Sequence, residues 1–160
     1  MPASTNNQTR IEPATIEDLD ALVDLVMSLM DEELDFEPDR DRQEHGLRLI
    51  LEQPNRGRIF VLRNDHQLIG MASLLFTIST ATGGFAINME DVIIHPDHRG
   101  QGYGTRLIEH VIDFARRKDF TRITILTDKI SEHSQRFFAR HGFEHSQMIP
   151  KRLILDGGDS

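Results

Sequence analysis

"VIIHPDHRGQGYGTRL", residues 92–107, decides the fold. A β-branched apolar run reaches a proline turn, glycines alternate at 100, 102 and 104, and an amphipathic stretch follows. Strand, turn, glycine loop and helix N-terminus in that order aim unpaired backbone N–H groups and the positive end of a helix dipole at one point, which makes an anion site. Glycine suits such a loop because a side chain would hold a phosphate off the backbone or forbid the φ of the turn. Residues 102–106 carry no acid to repel an anion, and Arg99 and Arg106 flank the loop. A P-loop would need G-x-x-x-x-G-K-[ST] and a dinucleotide fingerprint G-x-G-x-x-G. The G-x-G-x-G spacing here is neither, which leaves a different phosphate or a plain glycine turn.

Working outward, the other elements follow from periodicity. "RIEP" (10–13) suits a short strand. Thr15 and Asp18 form an N-cap pattern ahead of Ile16, Leu19, Leu22, Val23, Val26, Met27 and Met30 at helical spacing. A second helix is expected over Gln43–Gln53. Residues 57–76 read as a hairpin turning at Asn64 and Asp65, 77–84 as a polar loop, and 85–94 as the next strand. Leu107, Ile108, Val111, Ile112 and Ala115 line one face of the helix after the glycines, and "RITILT" (122–127) is a buried type of strand. "SEHSQRFFARHG" (131–142) is a fourth helix stopped by Gly142. "FEHSQMI" (143–149) and "KRLIL" (151–155) are expected as closing strands. Hairpin strands ahead of a βαβ unit imply an α/β (α+β) fold with a mixed sheet and helices on both faces.

The 160 residues suit one domain over 9–155, with flexible ends at 1–8 and 156–160. Without cysteine, disulfides, thiolate metal sites and cysteine nucleophiles are excluded. Apolar runs fall far short of a bilayer span, and "MPASTNNQT" has no signal-peptide character, so a cytoplasmic protein off the membrane is expected. A net charge of −8 speaks against a nucleic-acid partner and fits a cationic one. A homodimer is compatible with these properties.

With these residues in place, the sequence resembles the GNAT superfamily of acetyl-CoA-dependent N-acetyltransferases. "RGQGYG" (99–104) is similar to that family's R/Q-x-x-G-x-G/A loop, and "RFFARHGFE" (136–144) resembles its second signature. The order of elements matches from about residue 9 to 150. The resemblance implies a single GNAT-like domain with a mixed, mostly antiparallel sheet. It further implies that Arg99, Gly100, Gln101, Gly102, Tyr103, Gly104 and Thr105 hold the coenzyme pyrophosphate. Val92, Ile93 and Ile94 would lend backbone groups to the pantetheine arm and a backbone N–H to the oxyanion. Ser131, Ser134 and Phe138 would contact the coenzyme from the fourth helix.

A primary amine with a pKa near 10.4 sits about 3.4 units from neutrality at pH 7, a handicap of about 4.6 kcal/mol. A carboxylate can take the proton, and Glu90 is the first candidate, with Asp91 second. "MEDVII" resembles the segment of spermidine/spermine-type members in which a Glu has a proposed base role. On a regular strand Asn88, Glu90, Val92 and Ile94 would share one face and Met89, Asp91 and Ile93 the other. An acid at 90 or 91 on an apolar strand then faces a cleft or a buried partner. Asn88 and Glu90 are expected at the substrate, unless Glu90 is a structural acid paired with an arginine or at the sheet rim. Two positions depart from the family: Phe138 stands where a tyrosine is often the acid, and Ser131 where an asparagine is usual. A thiol leaving group with pKa about 8.5 tolerates departure as thiolate. His133 and His141 are alternative donors, set against a plain surface position for each.

"DEELDFEPDRD" (31–41) holds seven acids and one arginine. It is read either as a rim attracting a cationic amine, with Phe36 an apolar contact, or as a solvated run capping the second helix. His95 and His98 lie on the proline turn, and the other histidines lack ligand spacing, so no metal is expected. The activity expected is transfer of acetyl from acetyl-CoA to a small polyamine-like or other cationic amine. A non-catalytic acyl-CoA sensor and a protein or peptide acetyltransferase are the alternatives.

Overall fold

Alternating apolar residues in the first half of the chain build the sheet that carries everything else. A computed structural model describes residues 8–30, 38–127 and 131–155. The chain divides into two units, Met1–Leu126 and Thr127–Ser160. In the first, β1 (Thr9–Pro13), β2 (Gly57–Asn64), β3 (Gln67–Ser79), β4 (Gly84–Ile94) and β5 (Ile123–Ile125) lie side by side in that order. All neighbours are antiparallel except β4 and β5, which run parallel because helix α3 (Tyr103–Arg117) crosses between them. The mixed, mostly antiparallel sheet expected from the sequence is the one observed.

Helices α1 (Leu19–Met30) and α2 (Arg40–Leu51) cover one face. Leu22, Val23, Val26 and Leu47 pack there with Ile59, Val61, Met71 and Ile93 of the sheet. The Asp18 carboxylate accepts the Thr15 N–H at 2.9 Å, the capping contact that the T-x-x-D pattern anticipates. Helix α3 covers the opposite face, where Phe114 meets Phe60 edge-on at 5.1 Å and stacks on Phe76. Its buried stripe is Leu107, Ile108, Val111, Phe114 and Ala115. Ile112, expected on that stripe, is only half-buried and Phe114 takes the place.

Several boundaries differ from the sequence reading. Helix α2 begins three residues early because Asp39 caps it, accepting the Arg42 N–H at 3.3 Å. Thr77–Ser79, expected in a loop, prolong β3 by pairing with Gly84–Ala86. In the second unit α4 spans Glu132–Arg140 and ends ahead of Gly142 at φ 94°, as expected. The closing strands at 143–149 and 151–155 do not form among the described residues. Met148, Ile149, Leu153, Ile154 and Leu155 are exposed there, so no buried face sets a register, and Pro150 between the two stretches has no N–H to donate.

Candidate active site

The glycine stretch folds as its composition requires. β4 ends at Ile94, a single 3-10 turn covers Pro96–His98, and Gly100 and Gly102 take φ of 79° and 84° before α3 begins. An added Cβ at either glycine would meet nothing within 4 Å, so both backbones border open space. Helix geometry leaves the N–H groups of Tyr103, Gly104 and Thr105 without an intrahelical acceptor, and no acid stands in the first turn. Arg99 Nε donates to the Ile94 carbonyl at 3.1 Å, so the arginine spans the turn from loop to strand end. Arg106 bonds the Thr9 hydroxyl of β1. Gln101 is exposed and Tyr103 half-buried, its ring 6.4 Å from that of His98. The residues present fit a pyrophosphate: bare backbone, unsatisfied donors, a helix N-terminus and a cation nearby.

Ahead of the turn, β4 breaks its own alternation. Asp91 lies opposite Ser73 and Met89 opposite Leu74, which leaves Glu90 as the extra residue of a β-bulge. Cross-strand pairs share a face, so the partners fix where each side chain belongs. Ile93 and Asp91 follow Met71 and Ser73 to the face of α1 and α2, and Asn88 follows Leu75 there. Met89, Val92 and Ile94 belong to the α3 face with Leu74, Ala72 and Gly70. The expected grouping of Asn88 with Val92 and Ile94, and of Met89 with Asp91, is therefore corrected. The bulge inverts the strand's faces between Met89 and Asp91.

The two acids end in different surroundings. Glu90 is exposed. Asp91 is half-buried, its Oδ2 accepting from the Ser73 hydroxyl at 2.9 Å while its N–H donates to the same hydroxyl oxygen at 3.2 Å. Burial pushes the Asp91 carboxyl above its ordinary value, and the Ser73 hydrogen bond only partly offsets this. Ser73 itself is 0% exposed. The sequence reading missed it, since it sits inside the apolar run Met71–Phe76. A lone hydroxyl amid residues of that kind was the available signal, because a buried hydroxyl needs a partner.

Pairing of β4 with β5 covers only Ile87–Met89 among the described residues. Beyond the bulge, the edge of Val92–Ile94 turned away from β3 is joined to no strand described here. In the second unit Ser131 caps α4, its hydroxyl oxygen accepting the Ser134 N–H at 3.3 Å. Phe138 is buried, with Phe137 and Phe143 edge-on at 5.1 and 5.6 Å. Phe36 lies outside the described residues, as does most of the acidic run. The described end of that run caps α2, and Arg40 pairs with Asp24 at 2.8 Å. Among the described residues no three His, Asp or Glu side chains group as metal ligands, and no helix is long and apolar enough to cross a membrane.

The glycine turn and helix N-terminus suit an anionic group, and comparison with known proteins places the chain in a family. The model of the acetyltransferase (GNAT) family matches residues 20–143, and the chain belongs to that family. It is 28% identical over 133 residues to the aminoalkylphosphonate N-acetyltransferase of Salmonella typhimurium, covering 83% of each chain. The crystal structure of a possible acetyltransferase from Clostridium difficile 630 shares the fold with a TM-score of 0.82 at 15% identity, over 92% of this chain and 99% of that one. An aminoglycoside acetyltransferase from an uncultured soil metagenomic sample, crystallised with sisomicin, aligns with a TM-score of 0.74 at 19% identity over 94% and 98%. The protein is an acetyl-CoA-dependent N-acetyltransferase of the GNAT family.

Proposed function

We propose that the acceptor is the primary amine of a small cationic molecule, which attacks the thioester directly once Glu90 has relieved it of its proton. The observation that carries this reading is the bulge, which makes Glu90 an exposed carboxylate at the point where β4 parts from β5. The amine nitrogen forms a bond to the thioester carbonyl carbon, the C–S bond breaks, and the coenzyme leaves as thiolate. Before attack the ammonium proton passes to the Glu90 carboxylate, directly or through one water, which frees the nitrogen lone pair. The second proton, shed by the nitrogen after attack, goes to the thiolate sulfur. A backbone N–H of Val92–Ile94 stabilises the oxyanion, and that edge also receives the pantetheine arm. The Arg99–Thr105 loop holds the pyrophosphate. For Ser131, Ser134 and Phe138 the assignment to the coenzyme rests on the resemblance alone, and Phe36 and Asn88 are assigned to the acceptor. With Phe138 in the position of a tyrosine, no acid is needed for a thiol that leaves readily.

A relative named for aminoalkylphosphonates supports a small-molecule acceptor, and the net charge of −8 supports a cationic one. Thiol release from acetyl-CoA should be measured with spermidine, 2-aminoethylphosphonate, sisomicin and a short peptide. Release with a free amine above that with the peptide is expected, and Glu90→Gln should lower kcat about 10²–10⁴-fold. Activity confined to the peptide would overturn the small-molecule acceptor. Unchanged kcat in Glu90→Gln would remove the base.

A further inference from the structure

We propose that Ser73 and Asp91 form a clamp that pins the bulge, so that Ser73 is a positioning residue for Glu90. This rests on the reading of Glu90 as the proton acceptor. A bulge takes one residue out of the ladder and frees that part of the strand to shift. In a catalytic strand such freedom is costly, because displacement of a reacting group by about 1 Å can lower a rate about 10²-fold. The bulge therefore needs a fixed point next to Glu90, and the side chain of Ser73 supplies one.

The geometry is specific to a hydroxyl. A single oxygen donates to the Asp91 carboxylate at 2.9 Å and accepts the Asp91 backbone N–H at 3.2 Å. The side chain and main chain of the residue following Glu90 are thus tied to one atom. That atom sits on β3, whose Ser73 is fully buried and paired on its other side with Ile59 of β2. Helix-side packing of Met71 and Ile93 holds the next pair on the same face. The bulge is anchored from one side by core packing and at Asp91 by the clamp. An alanine at 73 would leave both the N–H and the carboxylate without the hydroxyl, while a threonine would keep it.

The experiment compares Ser73→Ala, Ser73→Cys and Ser73→Thr, with Glu90→Gln beside them. Cysteine matches serine in shape with a much weaker donor and acceptor, which covers the case in which alanine disturbs folding. Two readouts are taken: steady-state thiol release with the best amine of the panel, and amide hydrogen exchange of Asp91 followed by NMR. Alanine and cysteine should lower kcat about 10- to 100-fold, with the KM for acetyl-CoA within about twofold, and threonine should restore most of the loss. Exchange of the Asp91 amide should quicken about tenfold or more in alanine and cysteine, and this requires no acceptor amine. Unchanged exchange in both variants overturns the clamp. Quickened exchange with unchanged kcat, while Glu90→Gln is crippled, overturns its catalytic part and leaves Glu90 as the base. Full activity in Glu90→Gln overturns the base itself, whatever Ser73 does.

Discussion

Gly102 and Gly83 offer a matched pair of substitutions that separates backbone strain from coenzyme binding. Both hold left-handed φ, 84° and 77°, and at both an added Cβ would meet nothing within 4 Å. Forcing an L-residue into that region costs about 1–2 kcal/mol, so alanine at either site should lower folding stability by a similar amount. Their surroundings differ. Gly83 closes the β3–β4 turn, where its N–H donates to the Ser79 carbonyl at 2.9 Å. Gly102 is the N-cap of α3, in the loop proposed to hold the pyrophosphate. A methyl there would stand where the anion must approach the backbone. Loss of one charge-assisted N–H bond is worth about 1.5–3 kcal/mol, and about 1.4 kcal/mol is a tenfold change in Kd. Gly102→Ala should therefore weaken coenzyme A binding about 10- to 100-fold, read by titration calorimetry, while Gly83→Ala leaves it unaltered. Urea denaturation of both variants supplies the strain term. Equal Kd values in the two variants, at equal stability cost, would refute the placement of the pyrophosphate.

Arg99→Glu should also weaken coenzyme binding, by reversing a charge beside the same loop; calorimetry with unaltered affinity would count against the assignment. Arg63 donates to Asp18 at 2.8 Å and also bonds Glu12, holding β2 to β1 and to the turn that starts α1. The Arg63 and Asp18 side chains are only 14% and 11% exposed, so Arg63→Met should cost about 2 kcal/mol in urea, below the full penalty for splitting a buried pair. For Asp18, burial raises the carboxyl, but Arg63 and Thr15 outweigh it and leave the value lowered; Glu12 is lowered by Arg63 first. Stability from these acids is present above their unfolded values near about pH 4 and is lost as pH falls through the folded ones, so Arg63→Met should flatten the acid limb of a stability profile. His110 lies edge-on to Phe60 at 4.7 Å, and burial, aided by Arg117, lowers its pKa. Its stabilising share is complete above about pH 6.5 and declines as acid protonates the unfolded chain first. His110→Leu should therefore narrow the difference in urea midpoint between pH 7 and pH 5; an unchanged difference would clear His110 of the effect.

The glycine loop was legible in the sequence because its residues answer to local demands. Alternating glycines, a preceding proline and the absence of acids all concern what one short stretch of backbone can do. The same holds for Thr15 with Asp18, and for the hairpin turn, where Asp65 takes φ 57°. The face assignments on β4 failed for a non-local reason. "INMEDVII" reads equally well with or without a bulge, since its polar residues suit either parity. Only the partner strand decides, and the deciding residue, Ser73, lies 18 positions away from Asp91. The closing strands failed similarly: "KRLIL" has strand composition, but composition supplies no partner edge. Phe36 and the centre of the acidic run remain expectations of the sequence alone.

The bulge unites two properties that a regular strand could not supply together. The parallel pairing with β5 stops at Met89, opposite Ile125, the last residue of β5, so the edge of Val92–Ile94 lies beyond the described ladder. An unbroken alternation would keep Asn88 off the face that carries Asp91. Inserting Glu90 puts Asn88 and Asp91 together on the face of α1 and α2 and leaves the added residue itself exposed. Such an insertion interrupts the ladder, and it persists only where neighbours over-determine it. Ile93 packed against Met71 does so from one side, and the Ser73 hydroxyl holding both ends of Asp91 does so beside it. A buried serine in an apolar strand is a poor choice for stability alone, because an apolar residue of that size would need no partner. Its presence makes sense if the position of the strand at Glu90 matters more than the packing beneath it.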